Sequence, residues 1–290
     1  MGRQCEIAVR FHEPPDDLKR FFTSFYRADF VCPDGPVHDA LQPEWGGLRF
    51  FDRAGIVTSI GGDEPVSGTD FAAMGPSSLP VEFTLPTVAM WGLGLLPLGW
   101  ATFMSAPAST MANRVFDGRN EPAFQRFVPL ADALSCAPCD EAADLARIVR
   151  FFRRETPRKA PEDPRVQAIH AVLVDPQLSG VAEMVARTGL NQRTLERICR
   201  RVFGFPPKKL LRRQRFMRSL AQFMLDPALG WVGAIDTLYV DQSHFVRDCH
   251  EFLGMTPSEY AVQDHPVIAA FMRERMRVHG SAAQTLDLPG

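Results

Sequence analysis

The chain has 290 residues, 46% of them hydrophobic, and its 32 Lys+Arg against 34 Asp+Glu give a formal net charge of −2. That length favours two domains with proper cores. No apolar run reaches membrane-spanning length, because Val88 to Met104 is broken by Gly92, Gly94, Pro97 and Gly99, so no membrane partner is expected. The opening residues do not resemble a signal peptide and the six cysteines show no dense spacing, which points to a reducing cytoplasm.

Along the chain, Glu6 to Phe11, Leu48 to Phe51, Ile56 to Ile60 and Val81 to Leu85 read as short strands between Gly, Pro and Asp clusters. Leu18 to Tyr26 reads as a short helix after Pro14-Pro15-Asp16-Asp17, and Trp100 to Arg114 and Glu141 to Arg154 read as later helices. Residues 1–157 are therefore expected to be a β-rich domain with a helical exit. A linker is expected at 158–164, an all-α domain at 165–262 and a tail at 263–290. Charge supports the division. Residues 1–146 hold 10 Lys+Arg against 19 Asp+Glu, residues 147–218 hold 18 against 6, and residues 219–290 hold 4 against 9. A basic block thus sits between acidic ones, and phosphate binding needs local positive charge, not a basic whole protein.

The helical part contains a phrase used twice. Leu195-x-Arg197-x5-Phe203-Gly204-x2-Pro207 returns fifty positions later as Phe245-x-Arg247-x5-Leu253-Gly254-x2-Pro257. One offset means one supersecondary unit repeated. Each copy has an apolar row, an arginine on another face, and a Gly break before Pro, as in the second helix of a helix-turn-helix. In the first copy Ser179 is placed to cap a helix to about Ala186, Gly189 stands at the turn, and Asn191 is placed to cap the second helix. Leu195, Ile198 and Val202 form its core stripe. Arg193, Arg197 and Arg200 form a second stripe roughly 160–200° away. Guanidinium forks match guanine edges and phosphates.

At these residues the chain resembles the DNA-binding domain of the AraC/XylS family of bacterial transcription regulators, over roughly 164–262. The most specific stretch is Tyr239-Val240-Asp241-Gln242-Ser243-His244-Phe245-x-Arg247, followed by Gly254-Met255-Thr256-Pro257-Ser258-Glu259-Tyr260. The resemblance implies two helix-turn-helix units joined by a long helix, here Lys208 to Leu225, ended by Asp226-Pro227. Eighteen residues give about 27 Å, enough to hold two recognition helices in successive major-groove segments roughly 34 Å apart. The implied partner is double-stranded DNA, read in the major groove. The DNA-facing set is Asn191, Arg193, Thr194, Glu196, Arg197, Arg200, Arg201 and Lys208 in the first half, with Gln242, Ser243, His244 and Arg247 in the second. Three departures stand out. Leu238 occupies a turn position where the family has glycine, and is expected to be strained at positive φ. Gly233 replaces a large aliphatic residue, and Val185 an alanine. Cys249, in the row Phe245, Cys249, Phe252, reads as a small core residue.

By analogy the N-terminal region is a cupin-like sensor or dimerisation module, which makes the whole chain α+β and a homodimer with a small-molecule effector the expected assembly. Pro43 to Phe50 and Trp91 to Trp100 resemble segments of such a domain. Trp45, Trp91 and Trp100 are candidates to line an apolar ligand pocket; the other reading is three core tryptophans. Residues 1–146 contain only His12 and His38, and no Ser/His/Asp set, P-loop or dinucleotide fingerprint appears, so no enzyme, metal or cofactor is expected. The alternative is a DNA-binding domain fused to a catalytic or redox-sensing domain using Cys136 and Cys139 of a C-x-P-C motif.

Overall fold

The computed structural model describes residues 5–135, 140–157 and 163–290. Cys136, Cys139 and most of the expected linker lie outside them. The strands are β1 (Glu6–His12), β2 (Phe22–Val31), β3 (Val37–Leu41), β4 (Gly47–Phe51), β5 (Val57–Ile60), β6 (Val66–Ser67), β7 (Phe71–Met74), β8 (Val81–Leu85), β9 (Val88–Leu95) and β10 (Val115–Asp117). They form two antiparallel sheets, β1-β2-β9-β4-β7-β10 and β3-β8-β5-β6. Helices α1 (Pro97–Phe103), α2 (Ala108–Met111), α3 (Val128–Leu134) and α4 (Glu141–Glu155) follow or interrupt the last strands. A β-rich N-terminal region and a helical C-terminal region are thus both present.

Two expected helices are corrected. Leu18, Phe21, Phe22 and Phe25 fall at helical spacing and all are buried. After one turn, in which Leu18 and Lys19 donate to the Pro15 carbonyl, the chain instead extends into β2, paired with β1 on one side and β9 on the other. Burial on both faces makes such a central strand apolar without alternation, which local periodicity cannot tell from a helix. Trp100 to Arg114 is likewise no single helix. Pro107 separates α1 from α2, and the chain leaves α2 for β10. The glycines of β9 serve packing, since a side chain at Gly92 would collide with the Tyr26 ring.

One face of the large sheet packs on α1–α4, and this core continues unbroken into the first helical unit, from Phe25, Trp91 and Phe152 to Leu195 and Leu210. The other face opposes the small sheet through Phe30, Phe51, Ile56 and Leu85. Cys5 and Cys32 form a disulfide, which corrects the expectation of reduced thiols for this pair. They are distant in sequence, and only the register that sets Glu6 opposite Val31 brings them together. Such a long-range pairing leaves no spacing signature.

The helical region comprises α5 (Pro164–Val174), α6 (Val181–Thr188), α7 (Gln192–Ile198), α8 (Pro207–Leu225), α9 (Gly230–Ala234), α10 (Gln242–Leu253), α11 (Pro257–Ala261) and α12 (Pro266–His279). The long helix α8 contributes Leu210 to the N-terminal core and Phe216, Met217, Leu220 and Phe223 to a second core with Phe245, Cys249 and Phe252. Cys249 is fully buried, and burial pushes its thiol up to about 12. The tail returns to the sheets. Asp39 of β3 accepts the Val267 and Ile268 N–H groups at 2.8 and 3.0 Å and caps α12, whose Val267, Ile268, Phe271 and Met272 close the mouth between the two sheets.

The expected strain at Leu238 is absent: among the described residues the only non-glycine at positive φ is Asn113. Asp236 shapes this turn. Its carboxylate accepts the Leu238 N–H at 2.9 Å and pairs with Arg218, while the Leu238 carbonyl accepts from Arg215 at 3.1 Å. Leu238→Gly is therefore expected to lower stability by about 0.5–1 kcal/mol through backbone entropy. A raised denaturation midpoint would contradict this turn geometry.

His265 donates its Nε2–H to the Tyr260 carbonyl (3.0 Å), stacks on the Tyr260 ring and lies 3.6 Å from Asp39. Burial works against its charge, but the Asp39 carboxylate and the Tyr260 carbonyl outweigh this and raise its pKa. Its contribution is then fully present below the unfolded value of about 6.5 and lost as pH rises through the raised folded value. The stability difference between wild type and His265→Gln should shrink as pH rises from about 5 to 9. A pH-independent difference would show that the imidazolium does not hold the tail.

Candidate nucleic-acid interface

The first unit is α6, a turn and α7. Helix α6 starts one residue later than the serine suggests: Gly180 is the N-cap, and the Ser179 N–H and hydroxyl donate back to Glu183 at 3.0 and 2.7 Å. Gly189 ends the helix at φ +66°, a conformation that favours glycine. The Asn191 side chain then accepts the Thr194 N–H at 2.9 Å and starts α7. Leu195 and Ile198 are buried, and so is Val202 in the wider π-type turn Cys199–Phe203 that follows. This fixes the opposite side outward. Arg193, Arg197, Arg200 and Arg201 are exposed, and Arg193, Arg200 and Arg201 have no carboxylate partner among the described residues. Glu196 is partly buried and accepts from Gln192 at 3.2 Å. Lys208 is exposed in the first turn of α8.

The second unit repeats the plan on the far half of α8. Asp241 takes the place of Asn191 and accepts the His244 N–H at 2.8 Å. Gln242, Ser243, His244 and Arg247 are exposed on α10, and Phe245 faces the core. Gly204 and Gly254 stand at φ +86° and +74° after the two recognition segments, and Pro207 and Pro257 begin the next helices. The repeat therefore encodes a left-handed stop and a Pro-started helix. Gly233 lies in the five-residue α9, where the core contact comes from Trp231, stacked on Phe223 at 3.9 Å. Val185 packs against the first core.

Between the units lies a cleft of about 590 Å³ lined by Lys208, Arg212, Arg215, Arg218, His244 and Arg247, with Asp175 and Asp248. It joins expected residues from both units. Arg212, Arg215 and Arg218 were not anticipated, because α8 reads as a connector. Their spacing from Lys208 still marks one helical face. Asp248, nearly fully buried, accepts from Arg212 at 2.9 Å and from the Tyr239 hydroxyl at 2.8 Å, which fastens α10 to α8. The three candidate tryptophans lie in the core. Trp91 donates to Asp144 at 3.2 Å and Trp100 to the Ala106 carbonyl at 3.1 Å. The face of Trp45 receives the Arg213 guanidinium at 4.1 Å. All three are buried, and none lines the cavities between the sheets.

Asp248→Ala would leave the Tyr239 hydroxyl without its acceptor and Arg212 with Glu251 alone. It is expected to cost about 1–3 kcal/mol, read as a lower denaturation midpoint. An unchanged midpoint would mean that packing alone holds α10.

Residues 184–263 match a family model described as a helix-turn-helix domain. No curated protein matches the chain in sequence. Among solved structures the chain is similar to ToxT from Vibrio cholerae, at 10% identity and a TM-score of 0.43, covering 89% of this chain and 98% of that one. It is also similar to unsaturated fatty acid bound ToxT from Vibrio cholerae strain SCE256, at 10% identity and 0.41, covering 89% and 94%. The AraC-like transcriptional activator CuxR aligns at 14% identity and 0.28, covering 74% and 87%. The family match falls on the two capped units, so residues 184–263 of this chain form a helix-turn-helix domain.

Proposed function

We propose that the chain is a transcription regulator that reads double-stranded DNA with α7 and α10 in successive major-groove segments, under control of its N-terminal sheets. The observation that carries this is the pairing of a buried row with an exposed row on each recognition helix. Leu195 and Phe245 are anchored in separate cores, and Arg197 and Arg247 point outward from matching positions. Helix α8, nineteen residues or about 28 Å long, separates the two. Arg193, Arg197, Gln242 and Arg247 are the base readers in this proposal. Arg200, Arg201 and Lys208 meet phosphate, Asn191 and Thr194 present their helix start to the backbone, and Glu196, Ser243 and His244 flank the contacts.

Control is assigned to a small, largely apolar effector between the sheets or to association of two copies. Support for an effector comes from two adjoining cavities of about 70 and 40 Å³ that share Tyr26, Leu41, Arg49 and Phe271. Arg49 is held by Glu44 within this wall, so its charge is already matched and the space favours an uncharged molecule. This moves the candidate ligand position away from Trp45, Trp91 and Trp100.

Arg197→Ala should cost about 1–3 kcal/mol at its cognate base pair and relax specificity there. Lys208→Ala should weaken all sequences alike and make the salt dependence shallower by about one unit of slope. Binding measurements on a selected site and its single-base variants check both. Equal, sequence-independent losses would remove Arg197 from the base readers.

A further inference from the structure

The segment after α11 belongs to neither helix-turn-helix unit, yet it is tied to the sheets along its whole length. At its start Asp39 caps α12. In the middle the buried Arg275 donates to Ser24 of β2 at 3.0 Å and pairs with Asp287. Near its end Gln284 binds Glu44, and its side chain lies over Gly94 of β9, beside the Thr23 hydroxyl. The Thr285 carbonyl accepts from Gln214 of α8 at 2.5 Å. Apart from the Arg275–Asp287 pair, which lies within the segment, each of these contacts joins it to another part of the chain.

The same segment is continuous with the second unit. Tyr260 of α11 accepts from Gln42 at 2.8 Å, stacks on His265, and is followed directly by the Asp39-capped helix. Its anchors leave the DNA-facing residues of α10 exposed, so the contact orients that helix and does not cover it.

We propose that residues 264–290 are a positioning strap that fixes the second recognition helix relative to the N-terminal sheets, so that the second half of the DNA site is read by a pre-organised α10. The proposal rests on the DNA-binding reading given above. Pre-organisation raises affinity by removing ordering costs from the binding step. Because α12 also roofs the cavities between the sheets, through Phe271 and Met272, displacement of the strap from that side would reach α10 directly.

The test uses the full chain with Asp39→Ala and, as a milder variant, Gln284→Ala. Affinity is measured on a selected duplex and on duplexes scrambled in either half. Freed of its anchors, the strap variant should bind the full site about tenfold more weakly, and should lose nothing further when the α10 half is scrambled. Scrambling the α7 half should hurt wild type and variant equally. Full-site affinity equal to wild type, with the tail shown by limited proteolysis to be released, would overturn the proposal. So would a loss that persists undiminished on the duplex scrambled in the α10 half. If the wild type binds no DNA site, it is the DNA reading that fails. The strap is then decided by hydrogen exchange in α10, which faster exchange in the Asp39→Ala chain supports and unchanged exchange overturns.

Discussion

The constraint on which the rest depends is that a single helix, α8, is packed into both ends of the molecule at once. Its residue Arg213 is fully buried, with its guanidinium over the face of Trp45 and one N–H donated to the Ser77 carbonyl at 2.9 Å. Burial pushes its pKa down to about 9, which leaves it charged at neutral pH. No carboxylate pairs with it among the described residues, so the ring face and the carbonyls are what offset its desolvation. One turn further on, Phe216, Met217 and Leu220 belong to the core of the second unit. A helix held this way cannot rotate without exposing one core or the other, and that rigidity is what a two-site DNA reader requires of its connector.

The two units are built alike but charged differently. On α7 the basic row is mostly free of carboxylates. On the second unit Asp248 and Glu251 face α8 and engage Lys209 and Arg212. Part of the positive charge of the basic block therefore acts as internal glue, and the first unit holds most of what remains for phosphate.

The helical half was largely legible because its signals are local. Gly204, Gly254, Pro207, Pro257, Asn191 and Asp241 each answer a demand of one helix end, and each stands in the structure where that demand falls. Leu238 misled because a family glycine implied a left-handed turn, whereas Asp236 builds another turn from its own side chain. In the β half the strands expected at Glu6 to Phe11, Leu48 to Phe51, Ile56 to Ile60 and Val81 to Leu85 stand as β1, β4, β5 and β8, and the misses are central strands. β2 looks helical from Leu18 to Phe25, and β7 and β9 are apolar runs whose pairing partners lie far off in sequence. The disulfide, the tail and the cleft arginines escaped for the same reason: each gains meaning only from a partner brought in by tertiary contact.

Hydrogen exchange under native conditions tests the central claim most directly, by comparing the amides of α8 from Arg213 to Leu220 with those of β2 and β9. If α8 is the shared element of both cores, its amides and those of the central strands open together, with the same free energy as global unfolding. Opening of α8 at a clearly lower free energy, while β2 and β9 stay protected, would contradict the account.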